Sequence, residues 1–186
     1  MKKNSMPKYR EDKAIAVVSK LLKLAGGQCD KYWVNKVMYY IERESLIKSG
    51  QPMFFDTLYS LKFGPIVSAT KDGIDFAEYP TDTSWGTHFR LEGNTIHLVT
   101  ESDYSELSPF EENIIEKAYE NFKGYDFTQL HEYFGKLPEN KETTSREPIA
   151  YEDILKAEGY KQEEIEETLA ELSYLSFLEG ALNCAA

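Results

Sequence analysis

Apolar residues recur three or four positions apart through most of this chain, and that spacing is typical of amphipathic helices. The first such stretch runs from Glu11 to Ala25 and is ended by two glycines. The second starts near Asp30, a good helix-capping residue, and runs to about Ser49. The same reasoning predicts further helices over residues 66–77, 109–123, 127–135, 151–158 and 161–178. Ser108 and Asp126 are the predicted caps of the second and third of these helices. The chain is therefore expected to be mostly helical, with a polar loop over residues 139–147.

A single hairpin gives the clearest β signal. Residues 88–92 and 95–99 alternate apolar and polar side chains on either side of a Gly93-Asn94 pair. Glycine at the first central position of a two-residue loop favours a type II′ turn. That register pairs Leu91 with Ile96 and puts the apolar residues of both strands on one face. The sequence therefore predicts an α+β fold: a mostly α-helical single domain with one small β-hairpin.

The composition excludes several classes of protein. The 186 residues are 41% hydrophobic, which is enough to build a core and is unlike a disordered chain. Cys29 and Cys184 lack the spacing of a disulfide framework, so a reducing, cytoplasmic compartment is expected. No apolar run approaches the roughly 20 residues of a membrane span, so no membrane partner is expected.

The charge of the chain is acidic and unevenly distributed. A net charge of −11 argues against nucleic acid as the main partner. Residues 1–100 have 14 Lys and Arg against 11 Asp and Glu, whereas residues 101–186 have 7 against 21. The last predicted helix carries an acidic face, which we define as Glu163, Glu164, Glu167 and Glu171. Like charges four positions apart destabilise a helix, so this face is expected either to attract a basic partner or to be solvated surface only.

Recognised catalytic and nucleotide-binding motifs are absent from the sequence. It has no GxxxxGK[ST] phosphate loop, no GxGxxG fingerprint, no GxSxG nucleophile elbow and no HExxH metal motif. We therefore expect no cofactor, no metal and no enzymatic activity. The rival hypothesis is an enzyme with an unrecognised active site, for which no spacing connects the candidates Glu42, His88, Asp103 and His131.

A series of short motifs in the first two-thirds of the chain has an order typical of one protein family. The motifs are Lys13-Ala14-Ile15, Lys36-Val37-Met38-Tyr39-Tyr40, Gly50-Gln51-Pro52 and Tyr59-Ser60-Leu61-Lys62-Phe63-Gly64-Pro65-Ile66, followed by a helical stretch over 107–137. In the order and spacing of these motifs, the chain resembles the SocA-like, or Panacea domain, antitoxin family. The resemblance assigns residues 11–137 to a SocA-like/Panacea domain. Residues 138–186 are expected to form an acidic helical C-terminal extension packed on the same domain.

Two positions depart from the pattern of that family. After the tyrosine pair many members have Ala or Ser followed by Asp, where this chain has Ile41-Glu42-Arg43. Members often end the later short helix with Pro-Trp, where this chain has Pro138-Glu139. No family role is therefore carried over to the acidic position after the tyrosine pair.

The resemblance implies a protein that acts by binding. An antitoxin of this kind neutralises a cognate bacterial toxin by direct protein–protein contact, or by delivering it to a protease such as a AAA+ protease. A toxin that acts on translation components should have a basic surface, which the acidic face would complement. The chain ends in Ala185-Ala186, which is similar to tails read by such proteases, although a chance ending is the alternative. A phage- or prophage-associated regulator that binds a host protein is the other alternative.

The resemblance also implies which residues form the binding surface of the domain. These candidates are Tyr40, Tyr59, Lys62, Gly64 and Pro65. The alternative is that Tyr59, Gly64 and Pro65 only shape the fold.

Overall fold

The computed structural model describes residues 6–79 and 83–183. Within them, the helices are α1 (Glu11–Leu24), α2 (Lys31–Ser49), α3 (Ser68–Phe76), α4 (Ser84–His88), α5 (Pro109–Phe122), α6 (Phe127–Gly135), α7 (Tyr151–Ala157) and α8 (Gln162–Asn183). The strands are β1 (Gln28–Asp30), β2 (Leu58–Leu61), β3 (Gly64–Val67), β4 (Phe89–Glu92), β5 (Thr95–Leu98) and β6 (Glu147–Ile149). They form two antiparallel three-stranded sheets, in the orders β1-β5-β4 and β3-β2-β6. The expected α+β, mostly helical fold class is confirmed.

The predicted hairpin is present as β4 and β5. Leu91 lies opposite Ile96, as the alternation requires. Gly93 has a φ of +61°, the left-handed conformation that a type II′ turn requires at this position. The hairpin gains a third strand, β1, in which Cys29 lies opposite Ile96. Cys29 is therefore part of a strand, and the predicted helix begins just after it.

The second sheet replaces part of a predicted helix. The helix predicted from residue 66 begins at Ser68, because Gly64 to Val67 pair with β2 as a hairpin. Gly64 allows the hairpin turn with a φ of +91°, and the β-branched Ile66 and Val67 favour extended backbone. The polar stretch predicted as a loop runs into β6, whose Ile149 is buried opposite Leu58.

Helix α2 lies at the centre of the core. It contacts α1, α5, α6, α7 and β3, and it is buried on nearly all sides. Its start is capped by the Asp30 carboxylate, which accepts from the backbone N–H of Tyr32 and of Trp33. Capping boxes begin α5 and α6, at Ser108 and Asp126 as the sequence predicts.

Helix α8 joins the same core through its N-terminal half. Ile165 and Leu172 are buried among the core residues, and the Tyr160 hydroxyl just before α8 donates to the Ile47 carbonyl at 2.7 Å. Near its C-terminal end, Glu179 forms an ion pair with Arg10 at 3.0 Å. Across residues 6–79 and 83–183, no helix combines the length and the apolarity needed to cross a bilayer.

Candidate protein-binding surface

Helix α6 and its neighbours expose a cluster of aromatic rings. Phe127 and His131 lie one turn apart on α6, with ring centroids 6.1 Å apart and nearly parallel. Phe63, from the β2–β3 turn, lies 5.9 Å from Phe127, and Tyr32, from the start of α2, lies 4.6 Å from it. We call these four residues the aromatic patch. Phe63 is 46% exposed and Phe127 is 51% exposed, so neither ring serves mainly as core. Contiguous exposed aromatic side chains are characteristic of protein interaction sites.

Three tyrosines form a second cluster beside α6. The rings of Tyr40, Tyr125 and Tyr133 each contact the buried ring of Phe122, at 4.9, 5.3 and 5.0 Å. Tyr125 and Tyr133 also line an open cavity of about 460 Å³. Burial raises the pKa of Tyr40 and of Tyr133, so both hydroxyls remain protonated and able to donate hydrogen bonds. Tyr40, one of the binding-surface candidates from the sequence, is thus partly exposed within this tyrosine cluster.

A buried ion pair fixes the segment after α6 onto α2. The Arg43 Nε donates to the Glu139 carboxylate at 2.7 Å, and the Tyr39 hydroxyl donates to the same oxygen at 3.0 Å. Burial alone would lower the pKa of Arg43, but its hydrogen bonds and charge interactions with Glu139 and Glu158 raise it. Glu139 stands at one of the two positions where the sequence departs from the family pattern, and Arg43 directly follows the other, Ile41-Glu42. The second departure thus supplies the counter-ion for the residue next to the first.

The glycine-proline turn packs between α2 and α6. The Lys36 ammonium group donates to the Pro65 carbonyl at 2.7 Å. A Cβ on Gly64 would lie 3.3 Å from the Lys36 Nζ and 3.6 Å from the Phe134 Cβ, so a side chain would crowd Lys36 in addition to the strain of the positive φ. Gly64 and Pro65 are buried, which places them behind the exposed Phe63. The motif that contains Lys36 and the motif that contains Gly64-Pro65 are thus joined in space.

Lys36 is a buried cation, and its titration should be visible in the stability of the protein. Desolvation lowers its pKa from 10.5 to about 7, with Lys31, Lys71 and Asp75 as the charged residues around it. Between these two pKa values the unfolded chain holds a proton that the folded protein has released. The folded state therefore gains stability as the pH rises through this range.

We expect the free energy of unfolding of the wild type, relative to Lys36→Met, to rise by about 1–2 kcal/mol between about pH 7 and about pH 8.5. Urea unfolding at each pH measures it. Burial also raises the pKa of Glu42 to about 8, which acts with the opposite sign in the same range. Both proteins contain Glu42, so its contribution cancels when the free energy of unfolding of Lys36→Met is subtracted from that of the wild type. Parallel pH profiles for the two proteins would contradict the prediction.

The other candidate surface residues have different environments. Tyr59 packs under the Arg146 guanidinium, 3.6 Å from its ring centroid, within the second sheet. Lys62 is exposed on the turn, with its Nζ 5.3 Å from the centroid of the Phe63 ring. Glu164 accepts from the Lys161 backbone N–H at 2.8 Å, so it caps α8. Glu163, Glu167 and Glu171 are exposed and make no ion pair within the part of the chain that the structure describes.

The four candidates of the rival enzyme hypothesis do not form one site. Both oxygens of the buried Glu42 accept backbone N–H groups, at 2.9 Å from Phe54 and 2.8 Å from Asp56, which explains its structural role in this loop. His131 belongs to the aromatic patch. His88 and Asp103 do line a common open cavity of about 510 Å³.

In that cavity the two side chains already have structural partners. The His88 Nδ1 lies 2.9 Å from the Thr100 carbonyl oxygen. Asp103 caps a short 3₁₀ helix (Tyr104–Glu106), and hydrogen bonds from the Ser105 backbone and hydroxyl lower its pKa. Among residues 6–79 and 83–183, no three His, Cys, Asp or Glu side chains are placed to hold a metal ion.

Sequence reasoning missed the residues that carry this surface. Phe63 lies inside one of the family motifs, but neither Phe63 nor Phe127 is among the candidates that the sequence indicates. Phe127 stands three and seven positions before Leu130 and Phe134, which is the spacing of a buried stripe, so the sequence alone groups it with these core residues. The partner of Arg43 could not be inferred, because Glu139 lies 96 positions away.

Comparison with known proteins places the chain in a family. A family model described as "Antitoxin SocA-like, Panacea domain" matches residues 34–140. No curated protein and no solved structure matches the chain significantly. The matched residues include the glycine-proline turn, α5, α6, the Arg43–Glu139 pair and all of the aromatic patch except Tyr32. The match covers more than half of the chain, which therefore belongs to the antitoxin SocA-like family with a Panacea domain.

Proposed function

We propose that this protein neutralises a cognate bacterial toxin by direct contact through the aromatic patch. The observation that carries this proposal is that Phe63 and Phe127 are half exposed within the family-matched segment. Large aromatic side chains at the centre of an interface supply much of the binding energy in protein complexes. The toxin would thus be held by burial of these rings, in the cytoplasm where both proteins act.

The patch has a rigid support, which favours tight binding. The Tyr32 hydroxyl donates to the Phe63 carbonyl at 3.0 Å, which ties the turn to α2. The Arg43–Glu139 pair ties the end of α6 to the same helix. A surface whose side chains are already ordered loses less entropy on binding than a mobile one. This support is the physical argument for occlusion of the toxin by a stable complex.

The acidic face is proposed to steer a basic toxin towards the patch. Helix α8 contains six glutamates and no Lys or Arg. Uncompensated surface charge of one sign raises the association rate of an oppositely charged partner. Ile165 and Leu172 join the common core, which supports residues 138–186 as an extension packed on the 11–137 domain.

Reversing Glu163, Glu167 and Glu171 to lysine is expected to slow association with the toxin about 10-fold at low salt. Glu164 is left unchanged because it caps α8. The matched control reverses three other exposed glutamates that have no ion pair within the described residues, Glu78, Glu106 and Glu142. Stopped-flow association rates at low and high salt measure the effect. Equal rates for the two triple variants would reject steering by this face.

The proposed function is tested by co-expression with the product of the adjacent gene. We expect growth to be restored and a complex to co-purify, with the toxin itself undegraded. Loss of the toxin in cells that contain the AAA+ protease would instead favour delivery to it. Capture of a host protein without any toxin would favour the phage-associated regulator. The absence of both growth rescue and a complex would reject an antitoxin role for this pair.

The C-terminal Ala185-Ala186 tail lies outside the described residues.

A further inference from the structure

A cavity beside the aromatic patch contains an unusual set of polar groups. Its volume is about 310 Å³, which is within the range of small-ligand sites. It lies between the start of α2, the β2–β3 turn and α3, and Tyr32 and Phe63 line both the cavity and the patch. We call it the Lys36 cavity, because this lysine is its most buried charged residue.

Lys36 lacks an anionic partner. Only 1% of the residue is exposed, and within the described residues its one hydrogen bond goes to the Pro65 carbonyl. The one carboxylate that lines the cavity, Asp75, is already bound by Lys31 at 3.1 Å and by Lys71 at 2.7 Å. The cavity thus has three lysines and one carboxylate, which two of the lysines already bind. A buried cation is stable when paired, so the cavity is suited to a ligand with a single negative charge.

Asn35 supplies a second unsatisfied group. The residue is 7% exposed and its Nδ2 donates to the Lys31 carbonyl at 2.9 Å. Its Oδ1 is buried and accepts no hydrogen bond from any residue that the structure describes. A buried acceptor without a donor costs about 1–3 kcal/mol. A ligand that fills the cavity should therefore present an N–H or O–H group as well as an anion.

The remaining walls of the cavity are apolar. They are formed by Tyr32, Leu61, Phe63 and Ile66. The complementary ligand combines a carboxylate, an N–H donor and an apolar group within a few bonds. The last residue of a polypeptide carries all three on one Cα atom, and capture of C-terminal carboxylates is a known mode of peptide recognition. Inorganic phosphate would leave the apolar walls without a partner.

We infer that the Lys36 cavity binds the free C-terminal residue of a partner polypeptide, with an apolar side chain. The carboxylate pairs with Lys36, the last N–H donates to Asn35, and the side chain packs on Phe63 and Ile66. This inference rests on the proposed function only in taking the toxin as the source of that C-terminus. Its test uses peptides and needs no toxin, so this inference and the proposed function can fail separately.

The test is calorimetric titration of the full-length protein with a hexapeptide that ends in leucine, in free-acid and amidated forms. The free acid should bind with a Kd of about 1 mM or below, and the amide at least about 10-fold more weakly. Lys36→Met should abolish this preference for the acid, and Asn35→Ala should weaken binding. Lys117→Met, which removes an exposed lysine from α5 and leaves the cavity and the adjacent turn untouched, should bind like the wild type.

Two further measurements keep the inference open to refutation. Chemical-shift changes of the Ile66 methyl groups in the wild type locate the peptide even if a variant fails to fold. N-acetyl-leucine distinguishes the C-terminus of a polypeptide from a free acylated amino acid as the ligand. If it bound as tightly as the hexapeptide, the ligand would be the free acylated amino acid and the polypeptide would be rejected. Equal binding of acid and amide, or no binding of either peptide, would overturn the inference.

Discussion

Replacing Phe63 and Phe127 together with alanine is expected to weaken the complex with the toxin by at least about 100-fold. Each ring belongs to the aromatic patch, and an aromatic hot spot typically contributes about 2 kcal/mol or more to binding. The fold should tolerate the change, because both rings are about half exposed and surface substitutions typically alter stability by about 0.5 kcal/mol or less. The loss should appear as faster dissociation, since interface mutations act mainly on that rate.

Surface plasmon resonance on the purified pair measures this effect, and growth rescue in cells gives a second readout. The matched control is Phe110→Ala, which removes the same side chain at 45% exposure from the start of α5. It should leave the dissociation rate unchanged. If the control weakened binding as much as the double variant, the aromatic patch would not be the contact surface.

Glu139→Ala is expected to destabilise the protein by about 3 kcal/mol. The side chain of Glu139 is fully buried, and its removal leaves the Arg43 guanidinium with the partly exposed Glu158 as its remaining close counter-ion. The Tyr39 hydroxyl loses its acceptor in the same step. The end of α6 should also loosen, so toxin binding should weaken although Glu139 cannot touch a partner.

Urea unfolding measures this destabilisation, with two control variants. Glu142→Ala, an exposed glutamate three positions along the chain, should change the free energy of unfolding by no more than about 0.5 kcal/mol. The double variant Arg43→Met with Glu139→Leu removes both charges, so it should recover much of the stability lost in Glu139→Ala. If Glu139→Ala unfolded at the same urea concentration as the wild type, the buried pair would not hold α6 in place.

The parts of the fold that the sequence predicted correctly depend on neighbouring residues. Asp30, Ser108 and Asp126 cap helices because their side chains reach backbone N–H groups two or three positions later. The register of the β4–β5 hairpin follows from one glycine and a strict alternation of apolar residues. These signals are complete within about ten residues, so they do not require knowledge of the rest of the chain.

The second sheet shows where local reasoning was insufficient. Residues 64–67 adopt a strand because Leu58 and Tyr59 pair with Val67 and Ile66, and β6 completes the sheet from residues 147–149. Without those partners, the segment before α3 could be taken as the start of a helix. Strand pairing depends on the partner more than on intrinsic preference, which is why β structure is harder to predict from a single segment.

By itself, the sequence determined the helices other than the short α4, three of their caps, one hairpin, the excess of acidic residues and the likeness to one family. All of these are properties of composition or of contacts between near neighbours. The tertiary structure alone decided which residues form the site. Arg43 meets Glu139 across 96 positions and Lys36 meets Pro65 across 29. The aromatic patch likewise draws Tyr32, Phe63 and Phe127 from three separate elements, because long-range packing brings distant side chains together and leaves part of each ring exposed.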